Sequence, residues 1–204
     1  MKILEIGQEK LTFKGHSAPV RAITITPDGE TVISVSDDKT IKTWDLRTGQ
    51  EEFIFKGYSG WVRAIAVTPD GKTVISGSSD STIKVWDLKT GGVKFILEGH
   101  SNWVNAIAIT PDGKTVISGS VDKTIKAWDL ATGEVKLAFE RHTGSVKAIV
   151  VTPDGKTVIS GSSDKTIKVW DLETGQEKLT LSGHSDWGKY SHNHTRRKNR
   201  DFRF

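Results

Sequence analysis

The dipeptide Trp-Asp occurs four times, at Trp44-Asp45, Trp86-Asp87, Trp128-Asp129 and Trp170-Asp171, each copy 42 residues from the next. A fixed period of that length means one supersecondary unit copied in tandem. A unit of this size cannot bury its apolar faces alone and has to stack on its neighbours. Aligned on themselves, the copies run 15–56, 57–98, 99–140 and 141–182. A fifth begins at Gly183 and leaves the pattern after Trp187. Gly7-Gln8-Glu9-Lys10-Leu11-Thr12 matches Gly175-Gln176-Glu177-Lys178-Leu179-Thr180, so residues 1–14 read as the last strand of a preceding unit.

Each unit reads as four short strands. In the second, Val62 to Thr68 is expected to alternate apolar and polar before Pro69-Asp70-Gly71 turns the chain. Thr73-Val74-Ile75-Ser76 follows, then a turn at Ser79-Asp80-Ser81, a strand from Thr82 to Trp86, and a fourth from Val93 to Leu97. β-Branched residues dominate and no segment carries a helical period. The fold class is all-β, with one blade of four antiparallel strands per 42 residues.

The chain resembles the WD-repeat β-propeller family over residues 8 to 187. A Gly-His pair opens the units and Trp-Asp closes the third strand. The resemblance implies a hydrogen-bonded group within each blade, formed here by His16, Ser34, Asp38 and Trp44; by His100, Ser118, Asp122 and Trp128; and by His142, Ser160, Asp164 and Trp170. In the second unit Tyr58 replaces the histidine, which leaves Ser76, Asp80 and Trp86 with an incomplete group and weakens that blade. Arg141 replaces the glycine of the fourth unit.

A serine, a histidine and an aspartate together also suggest nucleophilic catalysis. One active site would not be stamped into successive units, and an indole N–H beside the serine needs a buried acceptor. The group is therefore read as structural, and no enzyme is expected. Gly71-Lys72-Thr73 and its copies end like a phosphate-binding loop, but Ala66, Ala108 and Val150 stand where that loop needs its first glycine. Asp28, Asp70, Asp112 and Asp154 each sit in Pro-Asp-Gly and read as turn residues rather than metal ligands. No metal or cofactor is expected.

The net charge of +4 is concentrated at one end. Residues 188–204 hold six Lys or Arg and one acid, which leaves 23 basic and 24 acidic residues elsewhere. Bulk charge in the repeats therefore gives no reason to expect nucleic acid. With no cysteine, no apolar run of membrane-spanning length and a short apolar start, a cytoplasmic protein with no membrane contact is expected.

The copies are nearly identical, so the positions that differ carry information. Three positions after the histidine slot stand Pro19, Trp61, Trp103 and Ser145; five after it stand Arg21, Arg63, Asn105 and Lys147. One before the turn aspartate stand Asp37, Ser79, Val121 and Ser163. The resemblance implies that these slots point to the top face, where partners dock. Tryptophan and arginine dominate interface hot spots. The expected binding residues are Arg21, Trp61, Arg63, Trp103, Asn105, Lys147, Asp37 and Val121. A non-catalytic protein-interaction scaffold is the leading function; a decayed or truncated fragment of a larger repeat protein is the alternative.

Four blades fall short of the seven that WD-repeat rings usually have. Blades shaped for a larger ring leave apolar ends open, an association hazard. Three outcomes are open: two chains joining into an eight-bladed homodimer, which removes both ends; a strained four-bladed ring; or an unstable remnant of a longer gene. Association or a remnant is expected over a closed monomer. Residues 183–204 read as an aborted fifth repeat with a disordered basic tail. A synonymous back-translation of 188–204, read one base later, gives Val-Asn-Thr-Val-Thr-Ile-Thr-Pro-Asp-Gly-Lys-Thr-Val-Ile-Phe-Gly, the missing first strand, turn and second strand of a unit with one Ser read as Phe. A single-base shift after the Trp187 codon is therefore expected in the nucleotide sequence. If no single shift restores the repeat there, the competing reading of the same residues is an RNA-binding tail.

Overall fold

A computed structural model describes residues 10–183. It contains sixteen strands and, among the described residues, no helix. The first sheet is β1 (Val20–Ile25), β2 (Thr31–Ser36), β3 (Ile41–Asp45) and β4 (Glu51–Phe55). The second is β5 (Val62–Val67), β6 (Thr73–Ser78), β7 (Ile83–Asp87) and β8 (Val93–Leu97). The third is β9 (Val104–Ile109), β10 (Thr115–Ser120), β11 (Ile125–Asp129) and β12 (Val135–Phe139). The fourth is β13 (Val146–Val151), β14 (Thr157–Ser162), β15 (Thr166–Asp171) and β16 (Glu177–Ser182). Strands pair antiparallel in sequence order within each sheet, so one sheet is one blade. Each lies inside one 42-residue sequence unit.

The turns follow from their sequences. In the first hairpin of the second blade, Thr68 Oγ1 donates to Asp70 Oδ1 at 2.5 Å, Lys72 N donates to the same oxygen at 3.0 Å, and Gly71 N donates to Thr68 O at 2.8 Å. Both the Pro-Asp-Gly aspartate and the Gly-Lys-Thr stretch thus belong to a hairpin turn. At the next hairpin Lys39, Ser81, Lys123 and Lys165 hold φ between 67° and 75°, held there by the hydrogen bonds of the preceding aspartate.

The core lies between blades rather than within them. Ile33, Val35, Ile41 and Phe55 of the first blade meet Tyr58, Val62, Ile65, Val74 and Trp86 of the second. Ile75, Ile83, Val85 and Leu97 of the second meet Val104, Val116 and Trp128 of the third. Ile117, Ile125, Ala127 and Phe139 of the third meet Val146, Ile149, Val158 and Trp170 of the fourth. Every blade thus offers one face forward and the opposite face backward. Among the described residues the four blades form an open row and do not close into a full propeller.

The expected apolar–polar alternation of the first strand is corrected by this packing. β5 is buried at Val62, Ala64 and Ile65 together, because an innermost strand has a neighbouring blade on each side. Its register also shifts between Val62 and Ala64, which puts an extra residue, Arg63, into the strand. Equivalent bulges lie at Arg21, Asn105 and Lys147.

Residues 10–14 form no strand, yet they do part of the work of one. Phe13 lies 5.7 Å from Trp44, where Phe55 of the first blade lies 5.6 Å from Trp86 and Phe139 of the third 5.3 Å from Trp170. Leu11 crowds Gly49 as Phe55 crowds Gly91. The segment stands in for the last strand of a preceding blade. The remainder of 1–14 and the expected fifth unit lie outside the described residues, except Gly183.

Interblade packing sets the stability of such a row. Leu97 is 2% exposed between the second and third blades. Leu97→Ala should lower the unfolding free energy by about 2–5 kcal/mol, read as a fall in urea midpoint at unchanged slope.

Candidate functional site

Two sets of side chains compete for a functional reading: the buried group repeated in each blade, and the variable residues on the innermost strands.

The buried group is a relay of hydrogen bonds. In the first blade Trp44 Nε1 donates to Ser34 Oγ at 2.8 Å, Ser34 Oγ lies 2.7 Å from His16 Nε2, and His16 Nδ1 lies 2.8 Å from Asp38 Oδ2. One tautomer satisfies every atom: the serine O–H donates to Nε2, and Nδ1–H donates to the carboxylate. The third and fourth blades repeat it, with His100–Asp122 at 2.8 Å, His142–Asp164 at 2.7 Å, and Ser118 and Ser160 each accepting from Trp128 and Trp170 at 2.8 Å. Asp38 also accepts from Ser17 N, Thr40 N and Thr40 Oγ1. Burial alone would push its pKa up; the hydrogen bonds from Thr40, His16 and Ser17 outweigh that and hold it at about 2. Asp122 and Asp164 are lowered in the same way. Ser118 and Ser160 are fully buried, and each oxygen accepts an indole N–H. A serine in that position offers no attacking oxygen to a substrate, so the group ties strands together.

The second blade was expected to carry an incomplete group, and the structure corrects this. Tyr58 is longer than histidine, and its hydroxyl reaches past the imidazole position. It donates to Ser76 O at 2.7 Å, lies 2.7 Å from Ser76 Oγ and accepts from Lys84 N at 3.1 Å. Trp86 Nε1 still donates to Ser76 Oγ at 2.8 Å. Asp80, without a histidine, accepts from Ser59 N and Ser59 Oγ. Burial raises the Tyr58 pKa well above the ordinary phenol value, so the hydroxyl stays protonated and able to donate. The blade keeps a closed network by a different route.

The variable slots come together at one end of the innermost strands. β1, β5, β9 and β13 lie side by side along the row. The main chain clamps two of the slots against each other: Asp37 N donates to Pro19 O, Ser79 N to Trp61 O, Val121 N to Trp103 O and Ser163 N to Ser145 O, at 2.8–3.0 Å. The third slot is the bulge itself, where an extra residue re-aims a side chain.

The bulge residues and the tryptophans interleave across blades. Arg21 lies over the Trp61 ring at 5.9 Å, and Arg63 over the Trp103 ring at 5.0 Å. The two indoles lie 5.9 Å apart and tilted by 58°. Arg63 Nε donates to Asn105 Oδ1 at 3.0 Å, and Asn105 Nδ2 donates to Val146 O at 3.0 Å. Arg21 pairs with Asp37 through both carboxylate oxygens. One continuous ladder therefore runs over four blades. Trp61 and Trp103 remain 40% and 41% exposed, so its aromatic rungs are open to a partner. Hydrogen bonding to Arg21 lowers the Asp37 pKa and keeps it charged. Burial and the nearby Arg21 charge lower that of Arg63, which Asp37 partly offsets; an arginine stays protonated at neutral pH all the same. Lys147 is exposed at the fourth bulge, and Val121 is half-buried, contributing its main-chain clamp to Trp103. The sequence singled out these positions but gave no sign of the arginine-over-tryptophan stacking, which depends on the angle between blades.

Models of the WD domain, G-beta repeat match residues 7–45, 49–87, 91–129 and 133–171. The chain belongs to the WD40 repeat family. Each matched WD40 segment ends on its Trp-Asp pair, and the last three take the last strand of one blade with the first three of the next. WD40 repeat domains are generally non-catalytic scaffolds. Similar proteins include a ribosome biogenesis protein BOP1 homolog of Drosophila grimshawi, 45% identical over 40 residues, and the nuclear distribution protein PAC1 of Candida tropicalis, 59% identical over 34 residues. Those matches cover 20% and 17% of this chain, and 5% and 7% of the two relatives. The likeness is that of about one WD40 repeat. Among the described residues no helix is long and apolar enough to cross a membrane.

The Tyr58 substitution makes a sharp test of the buried group. Tyr58→Phe removes the acceptor of Lys84 N–H and the donor to Ser76 O inside a buried site. It should destabilise the chain by about 1–3 kcal/mol. Tyr58→His, which restores the residue the other blades use, should cost less than Tyr58→Phe in the same denaturant series.

Proposed function

We propose that the chain is a non-catalytic scaffold that binds a protein partner on the face carrying the arginine–tryptophan ladder. The observation that carries this reading is the pair of half-exposed indoles, Trp61 and Trp103, each capped by the arginine of the preceding blade. A fixed indole loses little side-chain entropy on binding, and interface hot spots are enriched in tryptophan and arginine. Arg63, which among the described residues donates to the Asn105 amide oxygen rather than to a carboxylate, suits a partner segment that sets a carboxylate beside an apolar side chain. The two relatives are named for different processes, ribosome biogenesis and nuclear distribution; what they share with this chain is the repeat, which supports scaffolding rather than either process. A cytoplasmic location belongs to the same proposal, supported by a cysteine-free chain that gives an oxidising compartment nothing to cross-link.

The test replaces both indoles. Trp61→Ala with Trp103→Ala should abolish retention of the partner that the unaltered chain captures, a loss of about thirty-fold or more for a hot-spot pair. The melting temperature should stay near that of the unaltered chain, because the rungs lie outside the interblade cores. A partner bound equally well by the doubly substituted chain would remove the ladder from the proposal.

A further inference from the structure

The two ends of the row are the two halves of one interface. Between the second and third blades, Gly77 forms a socket: a Cβ placed there would lie 2.6 Å from Val104 and 3.4 Å from Ile107. Between the third and fourth, a Cβ on Gly119 would lie 2.5 Å from Val146 and 2.8 Å from Ile149. The same socket recurs on the last blade at Gly161, where a Cβ would meet only Ala148 of its own sheet, at 3.9 Å. The side chains that fill such a socket recur on the first blade as Val20 and Ile23. These are 50% and 70% exposed, while Val104, Val146 and Ile149 are at most 9% exposed. The outer strand repeats the pattern: Leu181 is 49% exposed, against 2% for its counterparts Leu97 and Phe139.

We infer that a second copy of this chain docks head to tail, with Val20 and Ile23 of each copy entering the Gly161 socket of the other. The occupant is identified by the three internal interfaces, which join these same two faces with these same residue types. A head-to-tail contact closes only if its rotation closes, and otherwise polymerises. The four described blades of each copy together make eight, within the span of roughly four to eight that rings adopt. The docked copy brings Leu179 and Leu181 to the places that Leu11 and Phe13 hold over Gly49 and Trp44. Residues 10–14 therefore act as a plug that the second copy displaces.

The experiment is light scattering on size-separated chain over a concentration series, with two variants. Ile23→Asp spoils the entering side and Gly161→Glu fills the socket; neither position has positive φ, and both side chains point into open space. The unaltered chain should run at twice the mass of one chain, and each variant alone at the mass of one. An equimolar mixture of the variants should recover a dimer, because one intact pair of faces remains. Phe13→Ala, which weakens the plug, should shift dimerisation to lower concentration. Leu181→Asp serves as a second block on the socket side where Gly161→Glu lowers the melting temperature. A monomeric unaltered chain, a dimer that neither substitution touches, or variants that fail to pair when mixed would overturn the inference. Failure of partner binding at the ladder would leave it standing, since the ladder and the blade ends share no residue in either test.

Discussion

Everything in this molecule depends on one contact, the packing of a four-stranded sheet face against the next sheet. A single blade of about forty residues has apolar side chains on both faces and no interior of its own. Ile75, Ile83 and Leu97 are removed from water only because Val104, Val116 and Trp128 lie over them. Apolar burial is the main favourable term in folding, so the blades fold as a row or not at all. The close approach that makes this possible rests on Gly77 and Gly119, whose missing side chains let a valine of the next innermost strand lie against the sheet. In the first blade Val35 takes that place and is itself fully buried against the second blade.

The buried hydrogen-bond relay solves a different problem. The tryptophan that fills each interface carries an N–H that cannot be left unpaired in an apolar setting. The serine accepts it, the histidine accepts from the serine, and the aspartate accepts from the histidine while also fixing the turn after the second strand. The hydrogen bonds that depress the aspartate pKa are those that hold the turn. The second blade shows that the requirement is satisfied hydrogen bonds rather than a particular residue: Tyr58 closes the network with one hydroxyl, and Asp80 accepts from Ser59 N and Ser59 Oγ in place of a histidine.

Because the framework is the same in every blade, variation is free to act only where it does not disturb the packing. The bulge residue and its clamped neighbour meet that condition. They sit at the end of the innermost strands, where adjacent blades come close enough for Arg63 to cover Trp103. The interaction face is thus built from residues 40 positions apart in the chain, each contributed by a different copy of one unit.

Much of this was legible beforehand, and the reason is periodicity. The four Trp-Asp pairs give the number of blades, and Thr-Pro-Asp-Gly gives the first hairpin. The buried tetrad followed from resemblance, since identical spacing recreates identical geometry. Other features were not legible. The bulges at Arg21 and Arg63 are hidden by an innermost strand that is apolar on both sides, so no alternation marks where it breaks. The reach of Tyr58, the seat of Phe13 on Trp44 and the stacking of arginine over tryptophan depend on side-chain length and on the angle between blades. The sequence by itself determined the repeating unit, its strands and the residues that vary, because those are set by local pattern and period. Only the tertiary structure decided which variable residues touch and which faces stay open, because both depend on how one sheet lies across the next.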